Sequence, residues 1–272
     1  IGQKLTDSWG QQVVVDNRGG GNTIIGSEAM VKAAPDGYTL LHVTSTHAIN
    51  PSLLKTPYDA VRDFAPVATL VGTETLLVVN PQLPANNLQE LIALAKARPG
   101  ELNYSSASTG STQHLGAELF KSMAGVNIVR VPYKGSGPAL TAVIAGQVQL
   151  MIPSAGSASA HVRSGRLRAL AVTSAQPSAL APGLPTLAAA GLPGYESTSP
   201  FGIFAPAATA AGIVQQLSHA LAKVAVMPDI KDKFFNSGVE TVGSTPEQLA
   251  ATIKVEMAKW GKLIREVGIR EE

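Results

Sequence analysis

A run of small hydroxyl residues and glycine lies between Tyr104 and His114, with the sequence YSSASTGSTQH. It follows a short strand-like segment and precedes an amphipathic helical pattern, so it predicts a strand-to-helix loop. Because the first N–H groups of a helix lack partners and the helix dipole favours negative charge, such a junction is suited to holding an anion. Serine and threonine are also favoured N-caps, so Ser111 or Thr112 could instead do no more than cap the helix.

The same layout recurs at two other strand ends. Pro35–Thr46 runs from a turn through an apolar strand into a Ser-Thr pair, and Gly146–Ser159 repeats the pattern. A fourth junction, Lys134–Gly137, adds a lysine whose ordinary interpretation is a solvated side chain. Ligands of open parallel sheets bind beyond the carboxyl ends of the strands. The recurrence therefore predicts one polar cleft shared by these loops.

The sequence lacks the patterns of familiar catalytic and metal sites. It contains no G-x-S-x-G elbow, no Walker A sequence and no H-E-x-x-H, and it has no cysteine. No two of the five histidines have the i, i+4 spacing of a helical zinc site. Asp59 and Asp63 flank Arg62, which predicts a solvated turn with local ion pairing rather than acid–base chemistry. We expect no metal, no cofactor and no enzymatic activity.

Three further features have two interpretations each. His47 and His114 follow Ser/Thr loops and could reach a ligand, although capping or packing is favoured. The glycines Gly19–Gly21 miss the spacing of a dinucleotide fingerprint, which favours a structural loop that permits positive φ. The alternative is that their N–H groups face the cleft.

Composition excludes several classes of function. The chain has 272 residues, 45% hydrophobic and 15% charged, with a net charge of +2. There is no basic run or stripe, and aromatic residues are only 5%, so nucleic acid is not an expected partner. No apolar run has the length needed to span a bilayer, so the chain is not predicted to be membrane-spanning.

Strand-like and helical patterns alternate along the chain, which predicts an α/β fold with mostly parallel sheets flanked by helices. The predicted strands include Val13–Val15, and a short helix is predicted at Thr186–Ala190. Two extended, proline-punctuated segments, near 75–87 and 197–208, suggest crossings between two lobes. Lobe 1 would then comprise 1–82 and 199–272, and lobe 2 would comprise 83–198. Two lobes joined by two crossings form a hinged clamp with a ligand between them.

Long, ordered motifs support one family resemblance over essentially the whole chain. They are NRGGGNTIIGSEAMVKAAPDGYTLL, YDAVRDFAPVA, NYSSASTGSTQHLGAELFKSMAG and VPYKGSGPALTAVIAGQVQLM. Together they resemble the Bug family, the periplasmic solute receptors of tripartite tricarboxylate transporters. The resemblance implies a type II periplasmic binding-protein fold, in which two α/β lobes close on a small ligand that usually bears a carboxylate.

The resemblance also implies site residues. The family grips a carboxylate through two strand-to-helix loops, and the second corresponds to Thr109, Gly110, Ser111 and Thr112. Ser45 and Thr46 correspond to a strand end of the other lobe, Ser154 lines the cleft, and Phe201 takes the place of a tryptophan that could stack on the ligand. The family's first strand and its P-G-G-type loop would precede Ile1, so the sequence is interpreted as N-terminally incomplete.

The resulting hypothesis is a periplasmic receptor that captures a small carboxylate in the interlobe cleft and delivers it to membrane permease subunits. A monomer is expected. A sensory receptor for a signalling partner uses the same clamp and stays open as an alternative. A small-molecule enzyme that uses the same cleft is the less favoured alternative, because a nucleophile–base pair is missing.

Overall fold

The structure is a computed structural model that describes residues 1–270. In chain order the helices are α1 (Gly2–Trp9), α2 (Ile24–Val31), α3 (Thr46–Leu53), α4 (Leu88–Ala97), α5 (Thr112–Ala124), α6 (Ser136–Ile144), α7 (Ala155–Arg163), α8 (Ala211–Ala225), α9 (Pro228–Asn236) and α10 (Pro246–Val267). The strands are β1 (Leu41–Val43), β2 (Phe64–Thr73), β3 (Leu76–Val79), β4 (Asn103–Ser106), β5 (Val129–Pro132), β6 (Leu150–Met151), β7 (Arg168–Val172), β8 (Ser199–Pro206) and β9 (Val239–Thr241).

The chain divides into two compact units. Unit 1 comprises Ile1–Gly72, Pro200–Asn236 and Glu240–Ile264. Unit 2 comprises Thr73–Ser199 and Ser237–Val239, together with the segment that begins at Arg265. The first boundary therefore falls before the predicted position at residue 82, because β3 is hydrogen-bonded into the sheet of unit 2.

Unit 1 is built on a four-stranded sheet with the order β1-β8-β2-β9. β1 and β8 are antiparallel, with His42 opposite Ile203. The core of the unit is aromatic: the ring of His47 lies 4.5 Å from that of Phe64 and 4.6 Å from that of Phe204. Leu249 of α10 packs into the same cluster.

Unit 2 is built on a five-stranded sheet with the order β5-β4-β6-β3-β7. Helices cover both of its faces, because alternate side chains of β3 pack against different helices. Leu77 and Val79 pack with residues of α4 and α5, whereas Leu76 and Val78 pack with residues of α6 and α7. Successive strand residues point to opposite faces, so all four side chains are buried.

The predicted α/β class with two units is confirmed, but the sheet of unit 2 is mixed rather than mostly parallel. β4 is parallel to β5 and to β6, whereas β3 is antiparallel to β6 and to β7. Parallel pairing needs a crossover connection between the two strands. β3 enters the unit 2 sheet directly after Thr73 and Glu74, with no helix of that unit before it.

Two local predictions were wrong. Val13–Val15 is not a strand, since the Val13 N–H donates to the Thr6 hydroxyl at 2.9 Å and Val14 is 77% exposed. Thr186–Ala190 forms turns rather than a helix. The solvated turn at Asp59–Asp63 is confirmed, with Arg62 paired to Asp63 at 2.8 Å. Among residues 1–270, no helix is both long enough and apolar enough to cross a bilayer.

Candidate anion-binding site

The loop between β4 and α5 ends in a capped helix start. The Ser111 hydroxyl accepts a hydrogen bond from the His114 N–H at 3.3 Å, and the Ser111 carbonyl accepts one from the Leu115 N–H at 2.9 Å. The capping interpretation of Ser111 is therefore confirmed. A hydroxyl oxygen that accepts still has its own hydrogen to donate. Capping thus orients the Ser111 hydroxyl without using up its donor.

A hydrogen bond between Gly110 and His114 links the loop to the first turn of α5. Gly110 has φ +74°, a left-handed conformation that suits glycine. Its N–H donates to His114 Nδ1 at 3.2 Å, so the neutral ring carries its hydrogen on Nε2. Burial, with the nearby charges of Arg130 and Lys121, lowers the pKa of His114 to about 3. In this conformation the Gly110 N–H is therefore engaged by a protein group.

Arg130, a residue that the sequence did not single out, braces the same loop. The guanidinium donates from Nε to the Ser106 hydroxyl at 2.8 Å and from Nη1 to the Thr109 hydroxyl at 3.1 Å. It also donates from Nη2 to the Ala107 carbonyl at 3.0 Å. The parallel register that places Arg130 opposite Tyr104 brings it there. This contact between neighbouring strands could not be predicted from the local sequence around Arg130.

Thr112 occupies the first position of α5. Its hydroxyl donates to the Ser199 hydroxyl at 3.4 Å, and its side chain is half-buried. The helix has 13 residues, so its dipole is well developed and its first turn presents N–H groups toward the loop. The end of β4 thus combines a helix N-terminus with a cluster of hydroxyls.

Two of the other predicted junctions lie at the same edge of the unit 2 sheet. β4 is parallel to both β5 and β6, and carboxyl ends of parallel strands meet at one edge. Ser154 follows β6 and is half-buried, with its hydroxyl 2.9 Å from that of Ser157. The loop after β5 is tied to the start of α5 by Gln113 Nε2, which donates to the Ser136 hydroxyl at 2.7 Å. Lys134 is exposed, as predicted.

Unit 1 contains its own hydroxyl cluster. Ser45 is 2% exposed and precedes α3, and the Thr46 hydroxyl lies 3.0 Å from that of Thr44 and 3.2 Å from that of Thr23. Thr23 was not among the predicted site residues. It adopts φ +75°, a strained conformation for a β-branched residue and one that often marks functional positions. The only sequence signal for it was the preceding glycine run.

Phe201 lies against another aromatic side chain of unit 1. Its ring stacks on that of His42, with centroids 5.5 Å apart and planes inclined by 24°. Both residues belong to the antiparallel pair of β1 and β8, and Phe201 is half-buried. The stacking of Phe201 on a ligand stays a prediction.

The remaining histidine of interest, His47, is a core residue. It is fully buried, and its Nε2–H donates to the Ala60 carbonyl at 2.8 Å. The packing interpretation is therefore confirmed and the ligand contact is wrong for this residue. Within residues 1–270, no group of three or more histidine or acidic side chains is placed to hold a metal ion.

Comparison with known proteins identifies the class. Residues 1–269 match the TctC family, described as the tripartite tricarboxylate transporter family receptor, and the chain belongs to that family. Receptors of this kind bind solutes and are not enzymes, which confirms the expected absence of enzymatic activity. BugT of Bordetella pertussis is 37% identical over 273 residues, which cover 99% of this chain and 84% of BugT. The predicted membership of the Bug family is confirmed.

Solved structures of relatives agree with this fold. A protein from R. palustris solved with adipate is 36% identical, with a TM-score of 0.85, and the match covers 100% of this chain and 91% of that one. MatC from Rhodopseudomonas palustris, solved with bound malate, is 28% identical, with a TM-score of 0.81, over 97% of this chain and 91% of MatC. The periplasmic binding-protein fold is therefore established for the chain.

Proposed function

We propose that this chain is a periplasmic receptor that binds a small dicarboxylate and delivers it to the permease of a tripartite transporter. The observation that carries the proposal is the end of β4, where the 13-residue helix α5 begins behind a loop of hydroxyls. Relatives solved with adipate and with malate support dicarboxylates as the ligand class.

The proposed grip uses hydrogen-bond donors in place of a direct salt bridge. Thr109 and Ser111 would donate their hydroxyl hydrogens to one carboxylate, beside the N-terminal dipole of α5. The Thr112 hydroxyl, which donates to Ser199 in this structure, would turn its hydrogen to the same carboxylate on binding. A carboxylate accepts hydrogen bonds only, so donor groups match it well. Hydrogen bonds to a charged group contribute about 1.5–3 kcal/mol each, roughly twice the value for neutral pairs. Gly110 would contribute by allowing the tight turn.

The other predicted contacts are separate parts of the proposal. Ser154 lies at the same sheet edge as the grip, and it would extend the polar lining of that edge. In unit 1, Ser45 and Thr46 would form a second polar contact, and Phe201 would stack its ring on the ligand. Each is tested by its own substitution, because loss of one contact leaves the others in place.

Calorimetry tests the proposed ligand and its grip. Adipate, malate and succinate should bind, whereas their dimethyl esters should not, since the esters lack the negative charge. Thr112→Val keeps the shape of the side chain and should weaken binding about 10-fold. The matched control is Thr141→Val in α6, an exposed threonine whose hydroxyl only bonds to Gly137 of its own helix at 3.1 Å. If Thr112→Val binds the dicarboxylates as tightly as Thr141→Val does, Thr112 is not part of the binding site.

Location and partners need experiments in cells. Fractionation of cells that express the full-length gene should recover the protein with the periplasm. Cross-linking in the presence of a bound dicarboxylate should capture permease subunits, and light scattering should give the mass of a monomer. Recovery with a sensor protein instead of a permease would move the protein from transport to signalling.

A further inference from the structure

Arg130 is a half-buried cation that has no acidic partner among the residues that the structure describes. Ion pairs among residues 1–270 include Lys4–Asp229, Arg18–Asp16, Lys32–Glu28, Arg62–Asp63, Lys121–Glu118 and Lys259–Glu256. None includes Arg130, which instead makes three hydrogen bonds to neutral oxygens of the loop after β4. A guanidinium that is partly removed from water and has no counter-charge is costly unless an anion compensates it.

The hydrogen bonds of Arg130 also determine which hydroxyl oxygens of the loop act as acceptors. A guanidinium has donors only, so the hydroxyl oxygens of Ser106 and Thr109 must act as acceptors toward it. The Thr109 hydroxyl then directs its own hydrogen away from the guanidinium. That hydrogen stays available to donate to another neighbour, and a donor is what a carboxylate requires.

We propose that Arg130 is a positioning residue for anion binding, which orients the Thr109 hydroxyl as a donor and supplies the positive charge behind the loop. This inference rests on the proposed function, because the compensating anion is the carboxylate of the solute. Arg130 acts through Ser106, Ala107 and Thr109 rather than by direct contact with the carboxylate. The positive charge of Arg130 and the hydroxyl donors of the loop would together favour an anion, although the loop itself consists of neutral residues.

The first arm of the test measures affinity for adipate and malate. Arg130→Met removes the charge and the donors but keeps much of the side-chain length, and it should weaken binding about 10- to 100-fold, the change that corresponds to about 1.4–2.8 kcal/mol. Arg130→Lys keeps the charge and should recover part of the loss. The control is Arg166→Gln, an exposed arginine that donates to Ser164 in a local turn at 3.1 Å. It should bind as the wild type does.

The second arm measures amide hydrogen exchange without any ligand. If Arg130 holds the loop, Arg130→Met should speed exchange of the Gly110 and Ser111 amides about tenfold or more, while amides of α4 stay unchanged. Arg130→Lys should lie between Arg130→Met and the wild type. Unchanged exchange in Arg130→Met would overturn the positioning role, whatever happens to affinity.

The two arms separate this inference from the proposed function. Wild-type protein that binds no dicarboxylate would defeat the function, while the exchange arm would still decide whether Arg130 holds the loop. Wild-type binding that is equal in Arg130→Met would leave the function standing and overturn the inference. Loss of binding in both Arg130 variants with an unchanged loop would indicate direct contact with the carboxylate, which also contradicts the positioning role.

Discussion

Acidification should destabilise unit 1 through His47. The ring is fully buried among Tyr58, Phe64 and Phe204, and the Nδ1 atom has no hydrogen-bond partner within residues 1–270. Burial lowers the pKa of His47 from 6.5 to about 4, against the opposing effect of the hydrogen bond to Ala60. A proton added to Nδ1 would place an unpaired charge inside an aromatic cluster.

The sign and size of the effect follow from linkage. Because the folded pKa of this base is lowered, the unfolded chain takes up the proton first. The contribution of His47 to stability is therefore complete above about pH 6.5 and is lost as the pH falls toward about 4. Between about pH 7 and about pH 5, this difference in pKa corresponds to a loss of about 2 kcal/mol of unfolding free energy.

Urea unfolding followed by tryptophan fluorescence measures this loss, since Trp9 and Trp260 both belong to unit 1. In His47→Gln the amide can still donate to Ala60 but does not titrate, so its difference in unfolding free energy between the two pH values should be about 2 kcal/mol smaller. His219→Gln, at an exposed position of α8, is the control. The same acid loss in His47→Gln and in the wild type would refute the argument.

Two further predictions concern unit 2. Ser111→Ala and Asn87→Ala each remove the hydrogen bond of a helix N-cap, at 3.3 Å and 2.9 Å, so thermal unfolding should show a loss of about 1 kcal/mol for each. Only Ser111→Ala should also weaken binding of adipate; an equal effect of Asn87→Ala would contradict the site. Tyr104→Phe removes a hydroxyl that donates to buried Glu118 at 2.5 Å and should cost about 1–3 kcal/mol in urea unfolding. No loss would show that Lys121 alone satisfies that carboxylate.

Helix α5 shows how much of the candidate site could be predicted from local sequence. Ser111 caps its start and Gly125 ends it in a left-handed conformation, as the pattern of residue types indicated. Both signals act within one turn of the chain, so neighbouring residues suffice to decide them. The predicted strand-to-helix loop was therefore found where expected, and Ser111 is the cap of the helix.

The arrangement within the sheets was less predictable. An apolar run reports burial, but it does not report the direction of the neighbouring strand, and so the antiparallel pairing of β3 was missed. Val13–Val15 has the residue types of a strand, yet the N–H of Val13 bonds to Thr6 and Val15 is 73% exposed. A strand exists only where a second strand supplies its hydrogen bonds, and that is a tertiary condition.

By itself, the sequence determined the family, the alternation of strands and helices, and the hydroxyl loop between Tyr104 and His114. These depend on residue types that are close together in the chain. The tertiary structure alone decided that Arg130 hydrogen-bonds to Thr109 and that Thr23 hydrogen-bonds to Thr46. These pairs are 21 and 23 residues apart in the chain. Hydrogen bonds between distant residues depend on strand register and side-chain direction, which local residue types do not specify.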